Sequence, residues 1–89
     1  MDTEKIIGTL KSVLVDDMHS KVERDQIDSS TALMDGGLDL DSVAIVELIG
    51  AVEDRFGIQF DDSDLRMTTF QDVNSLAQVI AKRLAGSDD

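Results

Sequence analysis

Ile45, Ile49, Val52 and Phe56 recur at intervals of four, three and four, and Gly57 follows them. Side chains at that spacing share one face of an α-helix, and a glycine after the last one supplies a left-handed stop. The pattern predicts a helix over Ser42–Phe56. Its core face is expected from these four residues, flanked by Leu48 and Val46, with Val43, Glu47, Gly50, Ala51 and Asp54 facing outward. Two more stripes share the period. Ile6, Ile7, Leu10, Val13 and Leu14 predict a first helix from about Thr3 to Asp16, with Asp2 or Thr3 accepting from its first turn. Phe70, Val73, Leu76, Val79, Ile80 and Leu84 predict a last helix. Thr69-Phe-Gln-Asp72 has the form of a capping box at its start, and Lys82 and Arg83 suit the negative pole at its end.

Between the first two helices, from about Asp17 to Asp41, the periodicity fails. Asp, Ser and Gly accumulate there, with isolated apolar anchors at Ile27, Leu33, Leu38 and Leu40. A connection this long in a small domain is unusual, so the anchors are expected to be buried. After Gly57, Ile58-Gln-Phe60 returns to the core by alternation, and Asp61 or Asp62 caps a short helical turn through Leu65. The expected fold is all-α: a small bundle of three main helices plus one short helix, in outline a four-helix bundle, with a long loop between the first and second helices. Residues 1–85 make the domain and 86–89 a disordered tail. With no proline and only 3% aromatic residues, the core must be aliphatic.

Eighty-nine residues leave no room for a core and an active-site cleft together. Nineteen acidic residues against eight basic give a net charge of −11. Such a field repels nucleic acid and anionic membrane surfaces and steers toward basic protein patches. Its self-repulsion predicts modest stability that rises with salt or divalent cations. No segment approaches the roughly 20 apolar residues of a membrane span. The start, Met1-Asp-Thr-Glu-Lys5, lacks the basic-then-apolar pattern of a secretory signal. A cytoplasmic monomer is therefore expected.

The chemistry converges on Ser42, a lone hydroxyl where an acidic loop meets a helix. A nucleophilic serine needs a positioned proton acceptor. The only histidine, His19, is far along the chain and reads as an ordinary surface residue, and there is no cysteine. A serine modified by another enzyme needs no base, so Ser42 reads as an attachment point. The pairs Asp39-x-Asp41 and Asp61-Asp-Ser-Asp64 offer oxygen ligands but not the glycine and glutamate spacing of an EF-hand loop. They predict adventitious binding at most, so no metal site and no catalytic residue is assigned. Met18, Met34 and Met67 show no stripe and read as gap fillers, and Met1 as the initiator.

Asp41-Ser42-Val43 at a helix head, then Glu47-Leu48, Val52-Glu-Asp-Arg-Phe-Gly57, Phe60-Asp-Asp62 and Thr68-Thr-Phe70 resemble the acyl carrier proteins. The resemblance takes in the Leu33 and Leu38 anchors and the first helix, so it spans nearly the whole chain. It implies a phosphoprotein that performs no chemistry itself. A phosphopantetheinyl transferase would join 4′-phosphopantetheine from coenzyme A to Ser42, with Asp41 as the adjacent motif residue. Acyl groups would ride as thioesters on the cofactor's thiol, between enzymes of fatty acid, polyketide or related lipid biosynthesis. Val43, Glu47, Glu53 and Asp54, with Asp62, match the positions that dock on basic patches of acyl-loading and acyl-processing enzymes. Glu53 falls near the core edge of the helical wheel.

The sequence also departs from the family pattern. Val43 stands where leucine is usual, Ala44 where fatty acid carriers have an acidic residue, and Gly50 where a larger apolar group is common. These leave attachment intact and point as much to a specialised pathway as to primary fatty acid synthesis. The methionine start and short tail suggest a free-standing protein. Two other functions compete: an aminoacyl or peptidyl carrier, the D-alanyl type included, and an unmodified acidic adaptor that has no need of Ser42.

Overall fold

A computed structural model describes residues 2–18 and 22–86. Three α-helices carry the fold: α1 over Thr3–Ser12, α2 over Ser42–Phe56 and α3 over Val73–Gly86. The short helix expected after Phe60 is a single 3-10 turn, Asp62–Asp64, and a second such turn lies at Arg24–Gln26. The outline is thus a three-helix bundle and not a four-helix one. His19, Met1 and residues 87–89 lie outside the described residues, while Gly86, expected in the tail, closes α3.

Each start and stop has a local cause. Asp2 caps α1, its carboxylate accepting from the Lys5 amide at 2.9 Å. The helix then continues as a π-helical segment, Val13–Asp17, in which the Met18 amide reaches back five residues to the Val13 carbonyl at 3.0 Å. That extra turn buries Val13 and Leu14 and packs against α2. The α2 helix stops at Gly57, whose φ of 66° is left-handed.

The start of α3 differs from the expected capping box. Its cap is Asp72, whose carboxylate accepts from the Ser75 amide at 2.7 Å. Thr69 and Phe70 stay in the preceding loop, both buried. The remaining orphan donors of the first turn are satisfied from a distance. Val73 N–H donates to the Thr31 carbonyl at 3.0 Å and Asn74 N–H to that of Ser29 at 2.8 Å. Leu33 N–H donates to the Gln71 carbonyl at 3.2 Å, beside an isolated antiparallel bridge between Ala32 and Asp72. The long connection therefore completes the capping of α3 with its own backbone.

That connection is also tied to itself and to α1. Leu38 and Leu40 donate to the carbonyls of Ala32 and Leu33 at 2.9 and 3.0 Å. Gly37 lies so close to Ala32 that a Cβ there would run into its carbonyl. Arg24 donates to Ser12 Oγ and, at 3.0 Å, to the Gly8 carbonyl. Ile27 and Leu33 are fully buried as expected, and Leu38 and Leu40 half-buried.

The core is aliphatic. Ile6 and Leu10 meet Val73, Leu76, Ala77 and Ile80 across the α1–α3 contact, Val13 and Leu14 join them from the π-helical segment, and Leu48 and Val52 close the core from α2. Phe60 and Phe70 pack edge to face, with ring centroids 6.4 Å apart. Met18 and Met34 sit half-buried against this core, but Met67 is 73% exposed and fills no gap. Arg83 does more than face a helix pole: Nη1 lies 2.9 Å from Asp61 and Nε 2.9 Å from the buried Asp64, joining α3 to the 3-10 turn.

Candidate functional site at the head of the second helix

Ser42 is the first residue of α2 and is exposed. The cap is the residue before it: Asp41 is extended, and its carboxylate accepts from the Ala44 amide at 2.8 Å. Because Asp41 satisfies that donor, the Ser42 hydroxyl has no capping duty, and it makes no hydrogen bond among the described residues. Upstream, Asp39 adopts a left-handed φ of 54° and its carboxylate accepts weakly from the Gly36 amide at 3.3 Å. The loop thus holds two carboxylates close in sequence to an unencumbered hydroxyl.

The face of α2 differs from the expected one. Leu48 and Val52 are fully buried, while Ile45, Ile49 and Phe56 are only half-buried. Val46, expected beside the core, is 67% exposed, and Ala51, expected outside, is half-buried. The reason is that α1 and α3 pack on each other, whereas α2 packs mainly on the π-helical segment Val13–Asp17 and leaves apolar surface over. This surplus forms a groove of about 560 Å³. Ser42, Ile45, Val46 and Ile49 make one wall, and Leu65, Arg66, Met67 and Phe70 the other, with Met34 between them. Single exposed apolar residues mean little, but a contiguous patch with a reactive group at its edge marks a binding surface. A helical wheel could not reveal this groove, because its second wall comes from the irregular 65–70 loop.

The outward residues divide into two kinds. Val43, 67% exposed, lies with the exposed Glu47 and Asp54 along α2, and Asp62 is exposed on the 3-10 turn. Glu53 is half-buried, and its carboxylate accepts from the Phe60 amide at 2.9 Å. It ends the α2–loop junction and is spoken for structurally. The acidic clusters are likewise engaged: Asp64 accepts from the Asp61 amide at 3.0 Å and faces Arg83.

Residues 9–80 match the family model described as a phosphopantetheine attachment site. The chain is 38% identical over 74 residues to an acyl carrier protein of Coprothermobacter proteolyticus, covering 82% of this chain and 87% of that one. It is 34% identical over 64 residues to an acyl carrier protein of Lactobacillus acidophilus, covering 72% and 76%. The fold is similar to the solution structure of a holo acyl carrier protein from Nitrosomonas europaea, with a TM-score of 0.78 and 26% identity over 89% of this chain and 95% of that one. A chain in the crystal structure of an engineered Bradyrhizobium japonicum glycine:[carrier protein] ligase, complexed with a carrier protein from Agrobacterium tumefaciens and ATP, shares the fold alone. Its TM-score is 0.74 and its identity 23%, over 86% and 97% of the two chains. The head of α2 fits a phosphopantetheine group. It offers an exposed hydroxyl free of hydrogen bonds among the described residues and an adjoining apolar groove of about 560 Å³.

Proposed function

This chain belongs to the phosphopantetheine-attachment family, as an acyl carrier protein, and we propose that Ser42 is its attachment serine and that it delivers acyl thioesters to enzymes of fatty acid, polyketide or related lipid biosynthesis. The observation that carries this reading is the free Ser42 hydroxyl at the edge of the apolar groove. The bound group supplies a terminal thiol on a flexible arm. The chain's own work is to hold Ser42 at a helix start, where a transferase can reach it, and to offer partners a face to grip.

That face is Val43, Glu47 and Asp54 on α2, with Asp62 beside it on the 3-10 turn. The carboxylates of Glu47, Asp54 and Asp62 suit basic patches on the transferase and on loading and processing enzymes. Glu53 belongs to this set by position, but its bond to the Phe60 amide gives it a fixed structural duty. Residues 1–85 serve as one carrier domain, and a cytoplasmic setting agrees with the coenzyme A supply the transferase draws on.

An aminoacyl cargo is the competing reading, since the fold is shared with a chain from a structure of a glycine:[carrier protein] ligase with a carrier protein. The apolar character of the groove favours an acyl chain over a small polar aminoacyl group. Intact mass after incubation with coenzyme A and a permissive phosphopantetheinyl transferase tests attachment. One phosphopantetheine is expected on the wild type and none on Ser42→Ala. No gain on wild type, beside a control carrier that is modified, would instead favour an unmodified acidic adaptor. Charging the holo protein with butyryl and with glycyl thioesters then separates the two cargoes. Amide shifts at Ile45, Ile49 and Phe70 are expected to move for butyryl only.

A further inference from the structure

Arg66 has no part in the attachment or docking described so far, yet it lines the same groove as Ser42 and, among the described residues, carries the only charge on its walls. Its Nε donates to the Ser63 carbonyl at 2.7 Å, which leaves both terminal nitrogens as donors. The other described arginines are engaged. Arg55 pairs with Asp17 at 3.1 Å, Arg83 with Asp61 and Asp64, and Arg24 donates to Ser12 and Gly8. Arg66 has no carboxylate within 4.0 Å among the described residues. In a chain of nineteen acidic and eight basic residues, an arginine whose guanidinium pairs with no carboxylate among the described residues is conspicuous.

A phosphodiester on Ser42 Oγ would lie close in sequence to Asp39 and Asp41, whose like charge disfavours it. The wall opposite carries Arg66. We propose that Arg66 is the phosphate contact of this site: its terminal nitrogens donate to the phosphodiester oxygens and aim the arm along the groove. This rests on the reading of Ser42 as the attachment residue. The phosphodiester is favoured over a carboxylate on the cargo because its position is fixed by one bond to Ser42. A cargo carboxylate would require the whole arm to fold back. A guanidinium fork also matches phosphate oxygens with two donors at once. At a surface the contact is weak and screened by salt, so it biases the arm without immobilising it.

The test uses the full chain as wild type, Arg66→Gln and Arg66→Lys, each converted to the holo form and verified by intact mass and circular dichroism. Absence of a mass gain in the wild type overturns the attachment reading itself, independently of Arg66. With all three modified, phosphorus NMR at low salt reads the contact. The Arg66→Gln resonance is expected to shift from the wild-type position, and Arg66→Lys to fall between them. Raising the salt to about 1 M, where the Debye length is about 3 Å, should move the wild-type resonance toward Arg66→Gln. Coincident wild-type and Arg66→Gln resonances at low salt overturn the proposal. So does an Arg66 side-chain shift that moves only on loading with succinyl and not butyryl, which would assign the guanidinium to the cargo.

Discussion

Helices α2 and α3 have the same apolar period and nearly the same length, yet they use it differently. Along α3, Val73, Leu76, Ala77 and Ile80 all disappear into the contact with α1. Along α2, only Leu48 and Val52 do, while Ile45 and Ile49 remain half-buried and Val43 and Val46 stand in solvent. A helix bearing more apolar surface than its core contact consumes is carrying the surplus for something else. In this molecule the surplus begins at Ser42.

If that contrast is right, truncations in the two helices should differ in cost. Leu76→Ala or Ile80→Ala is expected to lose about 2–5 kcal/mol in urea denaturation. Ile45→Ala or Ile49→Ala should lose about 1 kcal/mol, in proportion to the smaller area removed from water. Equal losses would break the comparison. Gly37→Ala probes the connection that α3 depends on. Its Cβ displaces the Ala32 carbonyl that receives the Leu38 amide, and a loss of about 2 kcal/mol is expected, read as a lower urea midpoint. The caps sharpen the contrast further. Asp41 alone supplies the side-chain cap of α2, so Asp41→Ala should cost about 1 kcal/mol. Asp72→Ala should cost less, because the Thr31 and Ser29 carbonyls still hold the first turn of α3.

Charge changes should separate function from stability. Glu47→Lys on the exposed side of α2 should leave the urea midpoint unchanged and slow transferase association by about threefold to tenfold at low salt. Unchanged stopped-flow rates would remove Glu47 from the docking face. The smallest effect is expected at Asp28, where the Ser30 hydroxyl and amide hold the carboxyl below its ordinary value. A folded-state value below the unfolded one stabilises at neutral pH, and this is lost as the pH falls through the carboxylate range. Asp28→Asn should flatten that part of an acid titration followed by circular dichroism.

Sequence reading succeeded where a boundary had a local cause. The bounds of α2 follow from Asp41 before it and Gly57 after it. It failed where distant chain intervened. Thr69-x-x-Asp72 has the form of a capping box, but the first-turn amides of α3 are taken by Ser29 and Thr31, about forty residues away. Val46 flanks the core stripe on a helical wheel, yet it is exposed because α2 packs mainly on the segment Val13–Asp17. The second wall of the groove, with Arg66 on it, lies in a loop that has no period to read.

The backbone cap on α3 has a consequence for how the chain acquires its shape. The carbonyls of Ser29 and Thr31 reach the amides of Asn74 and Val73 only after the whole intervening chain, α2 included, has closed a loop. The entropy of that closure grows only slowly with length, but it must be met before the first turn of α3 is complete. Amide hydrogens at Leu33, Val73 and Asn74 should therefore exchange together, in one cooperative opening. The attachment helix lies inside that loop, so the segment bearing Ser42 is locked into register by the same event that finishes α3.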